Sequence, residues 1–381
     1  MKKKVTVAVS GMGGYGTHYV NAILNQSEEF GMECVGMIST HPERYADSEA
    51  FKSRNIPIYR SMEELYDHAV PDLLFISTPI HLHCPQVCYA LERGSNVLCE
   101  KPTSATLEDA KKMLEKSKET GKFVAIGYQR SFHPGVLKAK ADVLAGKYGK
   151  MISFKMIVVQ RRPITYFERG WAGKIKIGED YVYDSIANNS CAHFLHHLFF
   201  MAGDQLNTSA FPKTIEAECY RANAIENFDT ITSKIITENG VELYFGATQC
   251  GETNYGPYSV CEFENGRIIF DENQMIRGQV NGEEEVIYGN MKEYNFHKIP
   301  MAVDAVRGED TITCDVYTAL PHSMTIQYIQ DHVEIRDIQE KAKIINAAGE
   351  GETPILLKCV DGLKDAMIAC FEKGSMLSTK F

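Results

Sequence analysis

Up to about residue 146, short apolar runs alternate with stretches in which apolar positions recur every three to four residues. The runs Val5 to Ser10, Cys34 to Ser39, Ile56 to Tyr59, Leu73 to Ser77, Asn96 to Cys99 and Phe123 to Gly127 read as strands. Between them lie amphipathic segments such as Pro85 to Arg93 and Leu107 to Thr120, the latter closed by Gly121. Strand and helix in strict alternation predict a parallel, doubly wound sheet with right-handed crossovers. After Lys150 the rhythm changes to β-patterned runs that follow one another: Met151 to Val159, Thr214 to Arg221, Thr230 to Thr237, Val241 to Gln249, Ser259 to Phe263 and Arg267 to Phe270. Asn239-Gly240 and Asn265-Gly266 are hairpin signals. This half is expected to be an α+β domain with a large, mostly antiparallel sheet. Helical patterns at Ala187 to Met201, Met291 to Arg307 and Asp315 to His332 are expected to cover one face of it. The expected division is 1–127 and 128–381, with a C-terminal extension over 333–381. Its helical pattern from Asp361 to Phe371 is a candidate for oligomer contacts or for closing over a cleft.

A chain of 381 residues exceeds what one hydrophobic core usually organises, which agrees with two domains. With 44% apolar and 24% charged residues it has the balance of an ordinary globular protein. A net charge of -10 gives no electrostatic reason to bind phosphate backbones, so nucleic acid is not an expected partner. Met1-Lys2-Lys3-Lys4 is a basic start, but the apolar stretch from Val5 to Val9 is too short for a secretory core. No run approaches the roughly 18 apolar residues of a spanning helix; a cytoplasmic protein without a membrane partner is expected. Eleven cysteines without a CxxC pair read as reduced thiols. His81, His83, Cys84 and Cys88 lack a clean zinc spacing, and no metal is expected.

The first chemical motif is Gly11-Met12-Gly13-Gly14-Tyr15-Gly16, a GxGxxG directly after the first strand and opening a helix. Such glycines permit a tight turn and close approach of a pyrophosphate, whose charge meets the helix N-terminus, as in a Rossmann domain. At the end of the second strand an Asp or Glu would normally accept from a ribose 2′-hydroxyl; here stand Ser39-Thr40-His41, with Arg44 following. The absence of a carboxylate and the presence of an arginine favour NADP, with NAD kept open.

Further on come Ser77-Thr78-Pro79-Ile80-His81-Leu82-His83 and, after the fifth strand, Cys99-Glu100-Lys101-Pro102. With these the chain resembles the glucose-fructose oxidoreductase/inositol dehydrogenase (Gfo/Idh/MocA) family, which carries a TPxxxH segment and an EKP loop in this order. The resemblance implies cofactor contacts from Thr78, Pro79 and His83, while Glu100 either contacts the cofactor or holds the loop and orients Lys101. Ser39 and Arg44 also match the NADP-using 1,5-anhydrofructose reductase branch. On chemical grounds alone, Glu100 and Lys101 lie at the carboxyl end of a parallel strand, where open α/β sheets place their ligands. Oxidising a carbinol needs a base for the hydroxyl proton, and Lys101 serves if burial and the cationic ring bring its pKa towards neutrality.

The third motif is Asn188-Asn189-Ser190-Cys191-Ala192-His193-Phe194-Leu195-His196-His197. Read as one helix, its spacing puts Asn189, His193, His196 and His197 on one face. The resembling family shows DxGxHxxD here, its Asp and His joining the EKP lysine. This chain keeps the His as His193 but has Asn189, Cys191 and His196 at the other places. Asn189 can orient a hydroxyl but not act as a base, so Lys101 and His193 are left to handle the proton. Three histidines also suggest a metal alternative, though no glutamate accompanies them in HExxH fashion. Gln129 and Trp171 are further expected contacts to the cofactor by the same resemblance. Arg161, Arg162, Asp184, Tyr255 and Tyr258 are candidate sugar-hydroxyl partners. The expected function is therefore an NAD(P)-dependent oxidoreductase acting on a ring hydroxyl or ketone of a sugar, sugar derivative or cyclitol, as a homo-oligomer. The alternatives are a glycoside-cleaving enzyme using transient oxidation by bound NAD, and a noncatalytic NADP sensor.

Overall fold

A computed structural model of the chain describes residues 3–45, 48–294, 296–348 and 354–380. Met1 and Lys2 of the basic start, and 349–353 of the C-terminal extension, lie outside the described residues. The chain divides into two compact units, Met1–Phe132 with Phe296–Leu320, and His133–Asn295 with Pro321–Phe381.

The first unit runs β1 (Val5–Ser10), α1 (Gly16–Phe30), β2 (Met32–Ile38), α2 (Glu49–Lys52), β3 (Ile58–Tyr59), α3 (Met62–His68), β4 (Leu73–Ile76), α4 (His83–Glu92), β5 (Asn96–Cys99), α5 (Leu107–Thr120) and β6 (Val124–Ile126). The six strands form a parallel sheet in the order β3-β2-β1-β4-β5-β6. All four residues of β4 are buried. An unbroken apolar run is what a strand covered on both faces requires. Helix ends follow their local chemistry: the Thr106 hydroxyl accepts from the Asp109 N–H before α5, and Gly31 closes α1 in the left-handed conformation. The strand order reverses between β1 and β4, which opens a crevice at their carboxyl ends.

The second unit begins with α6 (Pro134–Leu144), β7 (Met151–Arg161) and a short hairpin of β8 (Lys176–Ile177) and β9 (Asp180–Tyr181). A π-helical turn (Ile186–Ser190) leads into α7 (Ala192–Met201). Then follow β10 (Pro212–Arg221), β11 (Thr230–Thr237), β12 (Glu242–Thr248), β13 (Cys250–Phe263), β14 (Gly266–Phe270), β15 (Met275–Val280) and β16 (Val286–Asn290). The chain next re-enters the first unit with α8 (Lys298–Arg307) and leaves it within α9 (Val316–His332). It ends with β17 (Ile335–Asp337), the hairpin β18 (Ala342–Ala348) and β19 (Pro354–Val360), and α10 (Leu363–Lys373).

The large sheet has nine strands in the order β16-β15-β14-β13-β7-β12-β11-β10-β17. Only the β7–β12 and β10–β17 pairs are parallel. Alternation along β7 separates its faces: Phe154, Met156 and Val158 join Leu195 and Phe199 of α7 in one apolar cluster. Ile157 and Val159 point the other way and join Met367, Cys370 and Phe371 of α10 in a second cluster. Both sides of the sheet are thus covered, one of them by the C-terminal extension.

Three expectations need correction. The helix predicted over Met291 to Arg307 does not cover the large sheet: α8 packs on β1, β4 and β5 of the first unit. There its terminal Arg307 donates to the carbonyls of Lys3, Phe30 and Gly31 at 2.9, 2.7 and 2.9 Å. An amphipathic stripe calls for an apolar surface but does not say which one. The helix predicted over Ala187 to Met201 is not continuous, because Cys191, at φ -109° and ψ 11°, separates the π-turn from α7. Asn189 consequently does not stand one regular α-helical turn before His193. The strands β15 and β16 also went unpredicted, since Gly278, Asn281, Gly282 and three successive glutamates interrupt their alternation.

Candidate active site and cofactor cradle

Gly11 begins the turn after β1 with φ at +90°, and a β-carbon there would collide with the Ser77 carbonyl. One at Gly16 would collide with the Gly11 carbonyl. These two glycines are thus dictated by close backbone packing. Gly13 and Gly14 face open space. Met12 is buried, with its side chain in the core.

A cavity of about 680 Å³ lies beside this turn. Gly11, Met12 and Gly13 form one side, Ser39, Thr40 and Arg44 another, and Thr78 and Pro79 a third. The cradle therefore suits a dinucleotide: the crevice at the strand-order reversal, the open glycine turn at an α-helix N-terminus and a cavity beside it coincide. Arg60, which follows β3, and Gln86 of α4 also line the cavity. Neither was singled out in the sequence. Arg60 follows a two-residue strand too short to mark its end, while Gln86 sits in an ordinary amphipathic helix. The Gln86 carbonyl accepts from the hydroxyls of Ser10 (3.1 Å) and Thr78 (3.0 Å), tying β1 to the loop after β4. His41 lies 3.1 Å from Glu43, whose carboxylate is also 3.8 Å from Arg60. The ring of His83 is buried, with one nitrogen 2.8 Å from the Pro102 carbonyl and the other 3.0 Å from that of Thr78. It bridges the two loops, and burial holds its pKa below the ordinary value against those carbonyls.

The loop after β5 is anchored from beneath. Glu100 is buried; its Oε1 accepts from the Tyr19 hydroxyl at 2.6 Å and from the Lys298 ammonium, and its Oε2 from the backbone N–H of Lys101 at 3.2 Å. Burial opposes ionisation of Glu100, but the charge and hydrogen bond of Lys298, with the Tyr19 bond, hold its carboxyl below the ordinary range. Lys101 itself is half-buried on the loop. Nearby, the Tyr15 hydroxyl donates to the Gln129 side-chain carbonyl at 3.1 Å. Tyr19 and Lys298 were not foreseen: Tyr19 reads as a core aromatic, and Lys298 lies 198 residues from its partner.

In the second unit, Asn189 donates from Nδ2 to Asp184 Oδ1 at 2.7 Å, and the other oxygen of Asp184 accepts from the Gly173 N–H at 2.6 Å. Asp184 is buried and spent on holding this turn. His193 is half-buried, whereas His196 and His197 are buried. His197 stands edge-on to Phe154 and Phe270, and His196 lies beside Phe200. These two rings belong to the core, and no cluster of three or more metal-ligating side chains occurs among the described residues. Trp171 is half-buried with the Arg169 guanidinium over its ring. Arg161 donates to the Ala348 carbonyl at 2.7 Å, and Arg162 to Gln160 at 3.0 Å. Tyr255 and Tyr258 pack on the sheet face that α10 covers, away from the α7 face. No helix is long and apolar enough to cross a membrane among the described residues.

Residues 5–128 match the family model described as an oxidoreductase family with an NAD-binding Rossmann fold. The chain is 30% identical over 156 residues to a scyllo-inositol 2-dehydrogenase (NAD(+)) of Bacillus subtilis, covering 41% of this chain and 44% of that protein. It is 35% identical over 130 residues to a 1,5-anhydro-D-fructose reductase of Ensifer adhaerens, covering 33% and 38%. The chain thus matches less than half the length of these curated relatives. Among solved structures, the WlbA dehydrogenase of Bordetella pertussis, in complex with NADH and UDP-GlcNAcA, superimposes with a TM-score of 0.68 at 19% identity, over 86% of this chain and 96% of that one. That similarity speaks for the fold. The family match thus lies in the first unit, where the chain is similar to oxidoreductases of the Gfo/Idh/MocA family.

Proposed function

We propose that the chain is an NAD(P)-dependent dehydrogenase or reductase acting on a ring hydroxyl or ketone of a sugar, sugar derivative or cyclitol. The observation that carries this reading is the loop after β5: Lys101 stands at the carboxyl end of a parallel strand, on a backbone pinned by the buried Glu100 carboxylate. The nicotinamide, when bound, supplies the hydride acceptor or donor. Lys101 takes the hydroxyl proton during oxidation and returns it during reduction. His193 shares the handling of that proton, and Asn189, held by Asp184, orients the reacting hydroxyl. Ser39, Arg44 and Arg60 favour a 2′-phosphate at the rim of the cavity, hence NADP. The relatives' printed substrates, an inositol and an anhydro sugar, support a small polyol as substrate.

Lys101→Met tests the reading, because it keeps the stem's volume and removes only the ammonium. Turnover of a responsive sugar or cyclitol should fall by about 10²- to 10⁴-fold with the fold and cofactor affinity retained. A loss within about threefold of wild type, far inside that range, would remove Lys101 from the chemistry. Absorbance of free cofactor should change in step with product. Turnover of a glycoside with no net change in cofactor would replace this reading with the glycoside-cleaving one.

A further inference from the structure

Lys298 is fully buried, and it reaches the Glu100 carboxylate from a segment far along the chain. Its ammonium also lies 4.9 Å from the centroid of the Tyr15 ring and 3.4 Å from the Gly127 carbonyl. The fit is tight, since a β-carbon at Gly127 would come within 3.0 Å of the carboxylate and 3.1 Å of the ammonium. A buried ion pair is seldom the most stabilising way to fill such a space, because desolvation offsets much of its attraction. Its location suggests another reason: the same carboxylate holds the backbone of Lys101.

We propose that Lys298 is a positioning residue for Lys101: by taking up most of the charge of Glu100 it fixes the loop and weakens the hold of that carboxylate on the Lys101 ammonium. The proposal rests on the reading of Lys101 as the group that exchanges the proton. A lone carboxylate one residue away, in a medium of low dielectric, would hold Lys101 in its charged form and oppose its action as a base. Paired with Lys298, Glu100 attracts the Lys101 ammonium less strongly, although the Lys101 charge still helps to hold its carboxyl down. The other titratable groups around the pair do not disturb this balance. Burial pushes the phenols of Tyr15, just before α1, and Tyr19, on α1, and the thiol of Cys99 above their ordinary values, so they stay neutral. Burial lowers the pKa of His83 on α4, so its ring is neutral as well. For Lys298, burial alone would lower the pKa; the Glu100 charge outweighs it and raises the pKa, so the ammonium persists. Of these buried groups, Glu100 and Lys298 therefore carry the charge.

The test compares Lys298→Met, Glu100→Gln and their combination in the full chain. Lys101 is read directly: trace acetylation with acetic anhydride as a function of pH, followed by peptide mass spectrometry, gives the midpoint of its amine without any turnover. In Lys298→Met the midpoint should rise by about one to two pH units, since the carboxylate loses its partner. In the double variant it should return to within about half a unit of wild type, because both charges are gone. In Glu100→Gln, where the Lys298 charge remains alone, it should fall by about half a unit or more. This opposite sign keeps the test alive if Lys298→Met does not fold. A merely structural pair would loosen the loop alike in both single variants and move the midpoint in one direction. Equal shifts in both, or none, overturn the proposal. The pH profile of sugar oxidation should move with the midpoint, costing Lys298→Met about 10- to 100-fold of turnover near neutrality, with NADPH affinity by fluorescence altered less than about threefold. If the labelling midpoints move as expected but the rate profile does not, the reading of Lys101 as the acid–base group fails and the electrostatic role of Lys298 remains.

Discussion

If Ser39 and Arg44 receive a 2′-phosphate, Ser39→Asp combined with Arg44→Ala should turn the cofactor preference towards NAD. Arg44 is exposed at the rim of the 680 Å³ cavity, so its contact with a phosphate is a charge-assisted hydrogen bond of about 1.5–3 kcal/mol. The new carboxylate at position 39 adds like-charge repulsion of about 1–2 kcal/mol at a separation near 5 Å and intermediate dielectric. Arg60 adds little to this sum, because its side chain is 68% exposed and stands 3.8 Å from Glu43. The expected total, about 2.5–5 kcal/mol, weakens NADP binding by roughly 10²-fold to a few 10³-fold. NAD should be unharmed or gain slightly, since Asp at the end of the second strand can accept from a ribose 2′-hydroxyl. Titration calorimetry with both cofactors at two salt concentrations measures this, and the wild-type NADP affinity should fall more steeply with salt than that for NAD. Unchanged NADP affinity in the double variant, or equal losses for both cofactors, would refute the phosphate assignment.

His193→Ala should lower turnover strongly while NADP affinity stays within about threefold, because the residue belongs to the second unit and not to the dinucleotide fold; an equal loss of affinity in a binding titration would contradict this division. Phe371→Ala in α10 should cost about 3–5 kcal/mol in denaturant unfolding, since the ring is buried between Tyr244 and Tyr258; a loss under about 1 kcal/mol, well below that range, would mean that the tail adds little to the core. The Glu100–Lys298 pair predicts a stability plateau. Glu100 is depressed from 4.5, so its contribution is present above that pH and is lost as pH falls through the folded value. Lys298 is raised from 10.5, so its contribution is present below that pH and is lost as pH rises through the folded value. Unfolding curves of the Glu100→Gln/Lys298→Met variant should lack both declines, and identical pH dependence in wild type and variant would refute the assignment.

Much of the parallel sheet is legible in the sequence because β1, β4, β5 and β6 are buried apolar runs between turn signals. Val5 to Ser10 and Asn96 to Cys99 coincide with β1 and β5 residue for residue, and Leu107 to Thr120 with α5. The second half is legible as a β-rich region, with Thr230 to Thr237 matching β11. What periodicity cannot carry is the identity of a distant partner. The stripe of Ile299, Met301, Ala302 and Val303 announces a buried helix face but not the sheet that α8 joins. The same holds for Lys298, whose meaning depends on Glu100. Around Asn189 the difficulty is local: the residues are helical in type, yet the π-turn breaks the period on which a shared face would depend.

The cover that α10 lays over the large sheet has a consequence for synthesis. Every strand of that sheet is translated before Leu363, the first residue of α10. A growing chain that pairs these strands as they emerge holds Ile157, Val159 and Tyr244 open to water until α10 leaves the ribosome. During that interval the nascent protein presents a broad apolar face, the kind of surface that recruits chaperones or drives aggregation. A frameshift or stop codon near residue 360 would make the exposure permanent, leaving the loop after β5 and helix α7 encoded in a product prone to be cleared from the cell.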